Sequence, residues 1–94
     1  MKYTPGNWLR VAKGERWMWG DNIIYIDSVI DRDDEGDEKY KLIFFWDWEV
    51  EKFLWDEPKV IRSWASELGG AYEEYGEREM IASIFEEGFY PSEK

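Results

Sequence analysis

The sequence contains neither cysteine nor histidine. Without cysteine there are no disulfides, no thiolate nucleophiles and no sulfur ligands for zinc or iron–sulfur clusters. Without histidine the commonest general base and the commonest metal ligand are also absent. Most hydrolase and metalloenzyme mechanisms are therefore excluded, and we expect a protein that carries no metal or other cofactor.

Long hydrophobic segments are missing as well. The longest uninterrupted apolar run, residues 42–46, has five residues, whereas a helix that crosses a bilayer needs about 20. The first residues, MKYTP, do not begin the hydrophobic region of a signal peptide. We therefore expect a soluble, cytoplasmic protein that does not bind a membrane.

Positive charge is scarce. The chain has 22 acidic residues against 12 basic ones, which gives a formal net charge of −10. Residues 1–20 hold four basic residues and one acidic residue, a net of +3, so the other 74 residues carry −13. Such a surface repels nucleic acids and anionic membranes, and a partner recognised through charge should be a basic protein.

Aromatic residues, in contrast, are abundant. Seven Trp, six Tyr and five Phe make up 19% of the 94 residues. Each buried ring removes roughly 150–250 Å² from water, which helps a short chain to offset its loss of conformational entropy. The length suits one folded domain covering residues 1–94, and disorder is not expected despite the charge.

The polarity pattern predicts strands in the first half of the chain. Residues 8–13 and 16–19 nearly alternate in polarity on either side of Gly14, which indicates two short antiparallel strands around a turn. Residues 23–30 and 40–48 are rich in β-branched and aromatic side chains and predict a long hairpin. Its second arm is apolar on both faces and should lie in the middle of the sheet.

The hairpin is followed by a less regular segment and then by two predicted helices. Residues 49–55 alternate and then slip, which indicates a bulged strand or one that turns back. Pro58 and the glycines at 69 and 70 bracket an apolar stripe, and a second stripe covers 77–87 before Gly88. The stripes are Val60, Ile61, Trp64, Ala65 and Leu68, then Met80, Ile81, Ile84 and Phe85. The predicted fold is α+β, a twisted antiparallel sheet of four to five N-terminal strands with two C-terminal helices packed on one face.

The acidic hairpin loop partly resembles a calcium-binding pattern. Asp31, Asp33, Glu35, Gly36 and Asp37 fall at positions 1, 3, 5, 6 and 7 of an EF-hand loop. Lys39 and Leu42 then occupy positions 9 and 12, where ligands are required, and both flanking segments are predicted strands. A solvated loop of mutually repelling charges is the preferred interpretation, without a metal.

Acidic residues also alternate after the hairpin. On a strand, Asp47, Glu49 and Glu51 would project from one face about 6.7 Å apart, a line of negative charge that a basic groove could accept in place of phosphates. Paired carboxylates can also cleave glycosides, but so small a domain has little room for a pocket of about 300 Å³, and we expect no enzymatic activity. The predicted partner-binding residues are Asp33, Asp34, Glu35, Asp37, Glu38, Asp47, Glu49, Glu51, Asp56 and Glu57.

These features favour a small acidic protein that inhibits a basic nucleic-acid-binding enzyme, with a surface that mimics DNA. By analogy of size and charge alone, phage counter-defence proteins such as anti-CRISPR proteins, and immunity proteins of nuclease toxins, share this character. An accessory subunit of a larger assembly is the main alternative. A tryptophan platform for carbohydrate is another, although the periodicity predicts core positions for every Trp except Trp8, namely Trp17, Trp19, Trp46, Trp48, Trp55 and Trp64.

Overall fold

The computed structural model describes residues 2–12, 23–47, 49–50, 52–68 and 72–88. Within these residues the elements are β1 (Trp8–Val11), β2 (Ile23–Arg32), β3 (Glu38–Phe44), β4 (Trp46–Asp47), β5 (Lys52–Phe53), β6 (Lys59–Trp64), α1 (Ala65–Leu68), β7 (Tyr72–Tyr75) and α2 (Glu77–Glu87). Five of these strands form an antiparallel sheet in the order β6-β3-β2-β1-β7, and β4 and β5 form a separate two-stranded hairpin.

The predicted long hairpin is confirmed as β2 and β3. The two strands pair from Ile24 with Phe44 to Arg32 with Glu38, and two register shifts along β2 mark β-bulges. The connecting loop is shorter than predicted and spans 33–37, where Gly36 adopts a φ of 90°. As the apolar pattern on both of its faces predicted, β3 has a neighbouring strand on each side.

One face of the sheet carries the main hydrophobic core. Leu9, Ile24, Ile26, Tyr40 and Leu42 are fully buried on neighbouring strands. Tyr3, which precedes β1, and Ala65, the first residue of α1, close over the same cluster. Alternate residues of each strand point to this face, so the period of two in the sequence places the core directly.

The opposite face is also apolar. The pairing register aligns Val60, Ile43, Tyr25, Trp8 and Tyr75 in one row across all five strands. Arg10, two residues after Trp8 on β1, faces the same side and is charged. Its side chain is fully buried, and its guanidinium donates a hydrogen bond of 2.6 Å to Ser83 Oγ of α2. This contact connects α2 to the face of β1 opposite the main core.

The second predicted helix is confirmed as α2, which has 11 residues and buries Met80 and Ser83. Gly88 has a φ of 78° and donates its backbone N–H to the Ile84 carbonyl, which ends the helix as the sequence predicted. At the other end, Glu79 accepts a hydrogen bond from the backbone N–H of Gly76. The α+β class is therefore confirmed.

The first predicted helix is confirmed only in its last turn. Residues 59–64 instead form β6 on the edge of the sheet, and the one helical turn of α1 follows. Val60 and Ile61 are β-branched, and β3 offers a free edge whose N–H and C=O groups must be satisfied, so strand pairing prevails over the helical stripe. With β7 formed by 72–75, strands and helices are interleaved, and one helix of more than one turn is seen where two were expected.

Two other strand predictions have different outcomes. The first arm of the N-terminal hairpin is confirmed as β1, whereas 16–19 lies outside the described residues. For residues 49–55 the chain turns back, because β4 and β5 pair as a tight hairpin through Trp46 with Phe53 and Asp47 with Lys52.

Candidate partner-binding surface

The acidic residues predicted to bind a partner lie at two ends of the sheet. The 33–37 loop joins β2 to β3 at one end of the sheet, and we call this loop the acidic tip. Asp56 and Glu57 precede Lys59, which pairs with Phe44 at the other end of β3. The two groups are separated by the length of β3, seven residues or about 20 Å at roughly 3.4 Å per residue.

The acidic tip has a defined backbone. Asp33 Oδ1 accepts hydrogen bonds from the backbone N–H groups of Glu35 at 3.0 Å and Asp37 at 2.8 Å. The Asp37 carboxylate in turn accepts hydrogen bonds from the Ser66 hydroxyl at 2.6 Å and the Ser66 backbone N–H at 3.2 Å. Asp33 and Asp37 thus shape the loop and fasten it to α1, while Asp34 and Glu35 are exposed.

The same geometry bears on the calcium interpretation. The Asp33 carboxylate is engaged by the N–H groups of its own loop, and Asp31 belongs to β2. Within the ranges that the structure describes, no group of three acidic side chains is arranged to hold a metal ion.

Glu38 requires a correction, because it is buried at 4% exposure and is not displayed on the surface as expected. Its Oε2 accepts hydrogen bonds from Arg32 Nε at 3.1 Å and Nη2 at 2.5 Å. Its Oε1 accepts the Tyr40 hydroxyl at 2.8 Å and the Lys2 backbone N–H at 3.2 Å. The Arg32 hydrogen bonds, followed by that of Tyr40, lower the pKa of Glu38 below its ordinary value.

The predicted line of carboxylates fails for Asp47 and Glu49. Asp47 is 8% exposed at the end of β4, and the chain then reverses at 49–50, so Asp47 and Glu49 do not share one strand face. Asp47 Oδ2 lies 2.9 Å from Lys59 Nζ, and this hydrogen bond is the main cause of the lowered pKa of Asp47. Asp47 Oδ1 accepts the Glu49 backbone N–H, Glu49 itself is exposed, and Glu51 lies outside the described residues.

The exposed acids that remain form two separate groups. Asp33, Asp34 and Glu35 belong to the acidic tip, and Glu49, Asp56 and Glu57 belong to the opposite end. Sequence reasoning missed Glu67, an exposed residue of α1 beside the serine that holds Asp37. The predicted helix gave no position for Glu67 relative to the tip; the pairing of β6 with β3 and the hydrogen bonds between Ser66 and Asp37 bring α1 there.

Aromatic rings form a continuous strip at the end opposite the acidic tip. Successive ring centroids lie 4.9 Å apart for Tyr25 and Trp8, 5.9 Å for Trp8 and Phe45, and 5.5 Å for Phe45 and Trp55. Trp55 stacks on Phe53 at 4.9 Å with an interplanar angle of 10°. We call these five residues the aromatic strip.

The tryptophans of the strip and its surroundings differ in exposure. Trp46 is buried as predicted, at 7%, and packs on Phe53 at 4.7 Å. Trp8 and Trp64 are half-buried. Trp55, predicted to be a core residue, is 55% exposed. Trp17, Trp19 and Trp48 lie outside the described residues.

Comparison with known proteins identifies no relative, since no protein-family model, no curated protein and no solved structure matches this chain. In the part of the chain that the structure describes, neither helix has the length and apolar character needed to cross a bilayer.

Proposed function

We propose that the protein is a small acidic inhibitor that binds a basic nucleic-acid-binding enzyme through its exposed carboxylates. The observation that carries the proposal is the acidic tip. Two of its carboxylates, those of Asp33 and Asp37, fix the loop by internal hydrogen bonds, and Asp34 and Glu35 are thereby held in solvent. Among the described residues, no lysine or arginine forms an ion pair with Asp34 or Glu35.

The spacing of the acidic groups suits a groove that normally holds nucleic acid. On each strand of double-stranded DNA, successive phosphates rise about 3.4 Å along the helix axis. The roughly 20 Å between the two acidic ends therefore corresponds to about six phosphate steps. Carboxylates at both ends would pair with lysine and arginine side chains that otherwise bind phosphates. Such binding depends strongly on salt, because the ion pairs at both acidic ends join exposed charges, which salt screens.

Charge reversal at the acidic tip tests the proposal. The variant Asp34→Lys/Glu35→Lys should bind a basic nucleic-acid-binding partner more slowly and at least tenfold more weakly at 0.1 M salt, with an unchanged melting temperature. The matched control is Glu73→Lys/Glu86→Lys, which reverses two exposed acids of β7 and α2 and changes the net charge equally.

The readout is surface-based binding kinetics from 0.1 to 0.5 M salt, with the partner's nucleic acid added as a competitor. The proposal requires that affinity falls with salt, that nucleic acid competes, and that the tip variant loses more affinity than the control. Affinity that is flat with salt, or equal losses in the two variants, would show that the acidic surface serves solubility only.

A second candidate function, a subunit of a larger assembly, is favoured by the outer face of α2. Phe85 is 86% exposed and Ile81, one turn earlier, is 48% exposed. Residues four apart share one side of a helix, so these two side chains form an apolar stripe. On this alternative Phe85→Ala would weaken partner binding while the tip reversal and added salt would not.

A further inference from the structure

The environment of Trp55 combines an oriented aromatic ring with neighbouring negative charge. Phe53 stacks on the indole at 4.9 Å, and Phe45 lies 5.5 Å from it at an angle of 33°. These contacts restrict the orientation of the ring, yet 55% of the side chain remains exposed. Little further conformational entropy is lost when a ligand stacks on a ring that is already held in place.

The residues that follow Trp55 are acidic. Asp56 and Glu57 are both exposed, and they directly follow Trp55 in the chain, with consecutive Cα atoms 3.8 Å apart. An aromatic face attracts cations through its quadrupole, with Trp the strongest of the aromatic residues. The chain itself contains this interaction, since Lys39 Nζ lies 5.8 Å from the centroid of the Trp64 ring.

We propose that Trp55, stacked on Phe53 and followed by Asp56 and Glu57, receives an arginine or lysine side chain of a basic protein partner. The proposal rests on the proposed function, because it specifies how the partner is held at the end opposite the acidic tip. The cation contacts the exposed part of the indole, and the carboxylates pair with its N–H groups. Arginine fits best, because a planar guanidinium can stack on the ring and donate to a carboxylate in the same plane.

Charge complementarity favours a basic side chain over a second copy of the chain or a sugar as the ligand of Trp55. A second copy of the chain would bring further carboxylates against Asp56 and Glu57, at a net charge of −10 for each protomer. A neutral sugar could stack on the ring and donate hydroxyl hydrogen bonds to the carboxylates, but it would bring no positive charge to this negative surface. A basic peptide uses both, and burial of the indole adds the apolar contact that makes Trp a frequent interface anchor.

The test uses the full chain and a hexa-arginine peptide as the probe, with a neutral hexa-citrulline peptide of nearly the same shape as its control. Nuclear magnetic resonance follows the indole Nε1–H signal of Trp55 and the backbone amides of 33–37 during the titration. We expect the arginine peptide to shift the Trp55 signal saturably and the citrulline peptide to leave it unchanged.

Variants then assign the contributions. Trp55→Ala should weaken binding of the arginine peptide about three- to tenfold. Asp56→Asn/Glu57→Gln, which keeps the ring in place, should weaken it to a similar extent and remain measurable if Trp55→Ala does not fold. Phe85→Ala is the control for an exposed aromatic residue elsewhere and should leave the affinity unchanged.

The outcomes separate this inference from the proposed function. If the arginine peptide shifts the 33–37 amides but not Trp55, the inference is wrong and the proposed function stands. If neither signal shifts, a basic ligand is not recognised and both are wrong. A glucose oligomer that shifts Trp55 where hexa-arginine does not would identify a sugar platform and overturn the inference.

Discussion

Tyr40→Phe should destabilise the protein although it removes only one oxygen atom. Tyr40 is fully buried, and its ring makes an edge contact with Tyr3 at 5.5 Å. Its hydroxyl accepts the Tyr3 backbone N–H at 3.0 Å and donates to Glu38 Oε1 at 2.8 Å. The Tyr3 carbonyl oxygen, 3.2 Å away, is a second acceptor for the same hydroxyl proton. Phenylalanine keeps the ring volume and the edge contact, so the change isolates the hydrogen bonds of the hydroxyl.

The expected cost follows from what the substitution leaves behind. The Tyr3 backbone N–H is buried and loses its acceptor, and an unsatisfied buried polar group costs about 1–3 kcal/mol. We therefore expect Tyr40→Phe to lower the free energy of unfolding by about 2 kcal/mol. For a domain of this size that corresponds to a fall in melting temperature of roughly 8–16 °C.

Urea denaturation measures this cost directly. The midpoint should fall by roughly 1–2 M with an unchanged m-value, if m is about 1–2 kcal/mol/M. The matched control is Tyr25→Phe, because Tyr25 is half-buried in the aromatic strip and no hydrogen bond of its hydroxyl is found among the described residues. A Tyr40→Phe midpoint within error of the parent, or an equal loss in Tyr25→Phe, would refute the reasoning.

Three further predictions concern the buried groups. Trp46→Ala should lower the free energy of unfolding by about 3–5 kcal/mol in the same denaturation assay, because Trp46 is only 7% exposed. The hydrogen bonds from the Arg32 guanidinium lower the pKa of Glu38 in the folded protein below its ordinary value of 4.5. The stability that ionised Glu38 contributes is therefore fully present above pH 4.5 and is lost as the pH falls through the lowered pKa. Urea midpoints should therefore fall with pH below about 4.5, and less steeply in Glu38→Gln. Asp47→Lys, which places a second ammonium beside Lys59, should lower the melting temperature sharply by calorimetry, whereas Glu49→Lys at an exposed position should not.

The elements that the sequence predicts correctly are those whose pattern has one structural solution. β-branched and aromatic side chains are concentrated in β2 and β3, and the acidic turn between the two strands favours a hairpin. The apolar stripe of α2 ends at Gly88, whose φ of 78° few other residues adopt. In both cases the information is local.

The errors have non-local causes. The stripe at 60–68 fits a helix as well as a strand, and only the unpaired edge of β3 decides in favour of β6. The cation that draws Asp47 inward, Lys59, is twelve positions away on another strand, so no pattern around Asp47 indicates it. For Trp55 the polarity pattern is correct in its period, but it cannot tell a core from a surface aromatic strip.

The two acidic ends offer a test of whether one partner contacts both. They lie about 20 Å apart, beyond the distance of roughly 7–10 Å within which substitutions usually couple. If one groove spans the molecule, the losses in affinity for Asp34→Lys/Glu35→Lys and Asp56→Lys/Glu57→Lys should multiply when the four changes are combined. If the partner contacts one end only, the double variant at the other end should keep the parental affinity. Each double variant changes the net charge by +4, and this general effect on affinity must be subtracted first. Association and dissociation rate constants of the parent and the three variants, measured at 0.1 M and 0.5 M salt, separate these effects. The general charge effect acts on association and is screened at the higher salt, whereas the loss of a direct contact speeds dissociation at both salt concentrations.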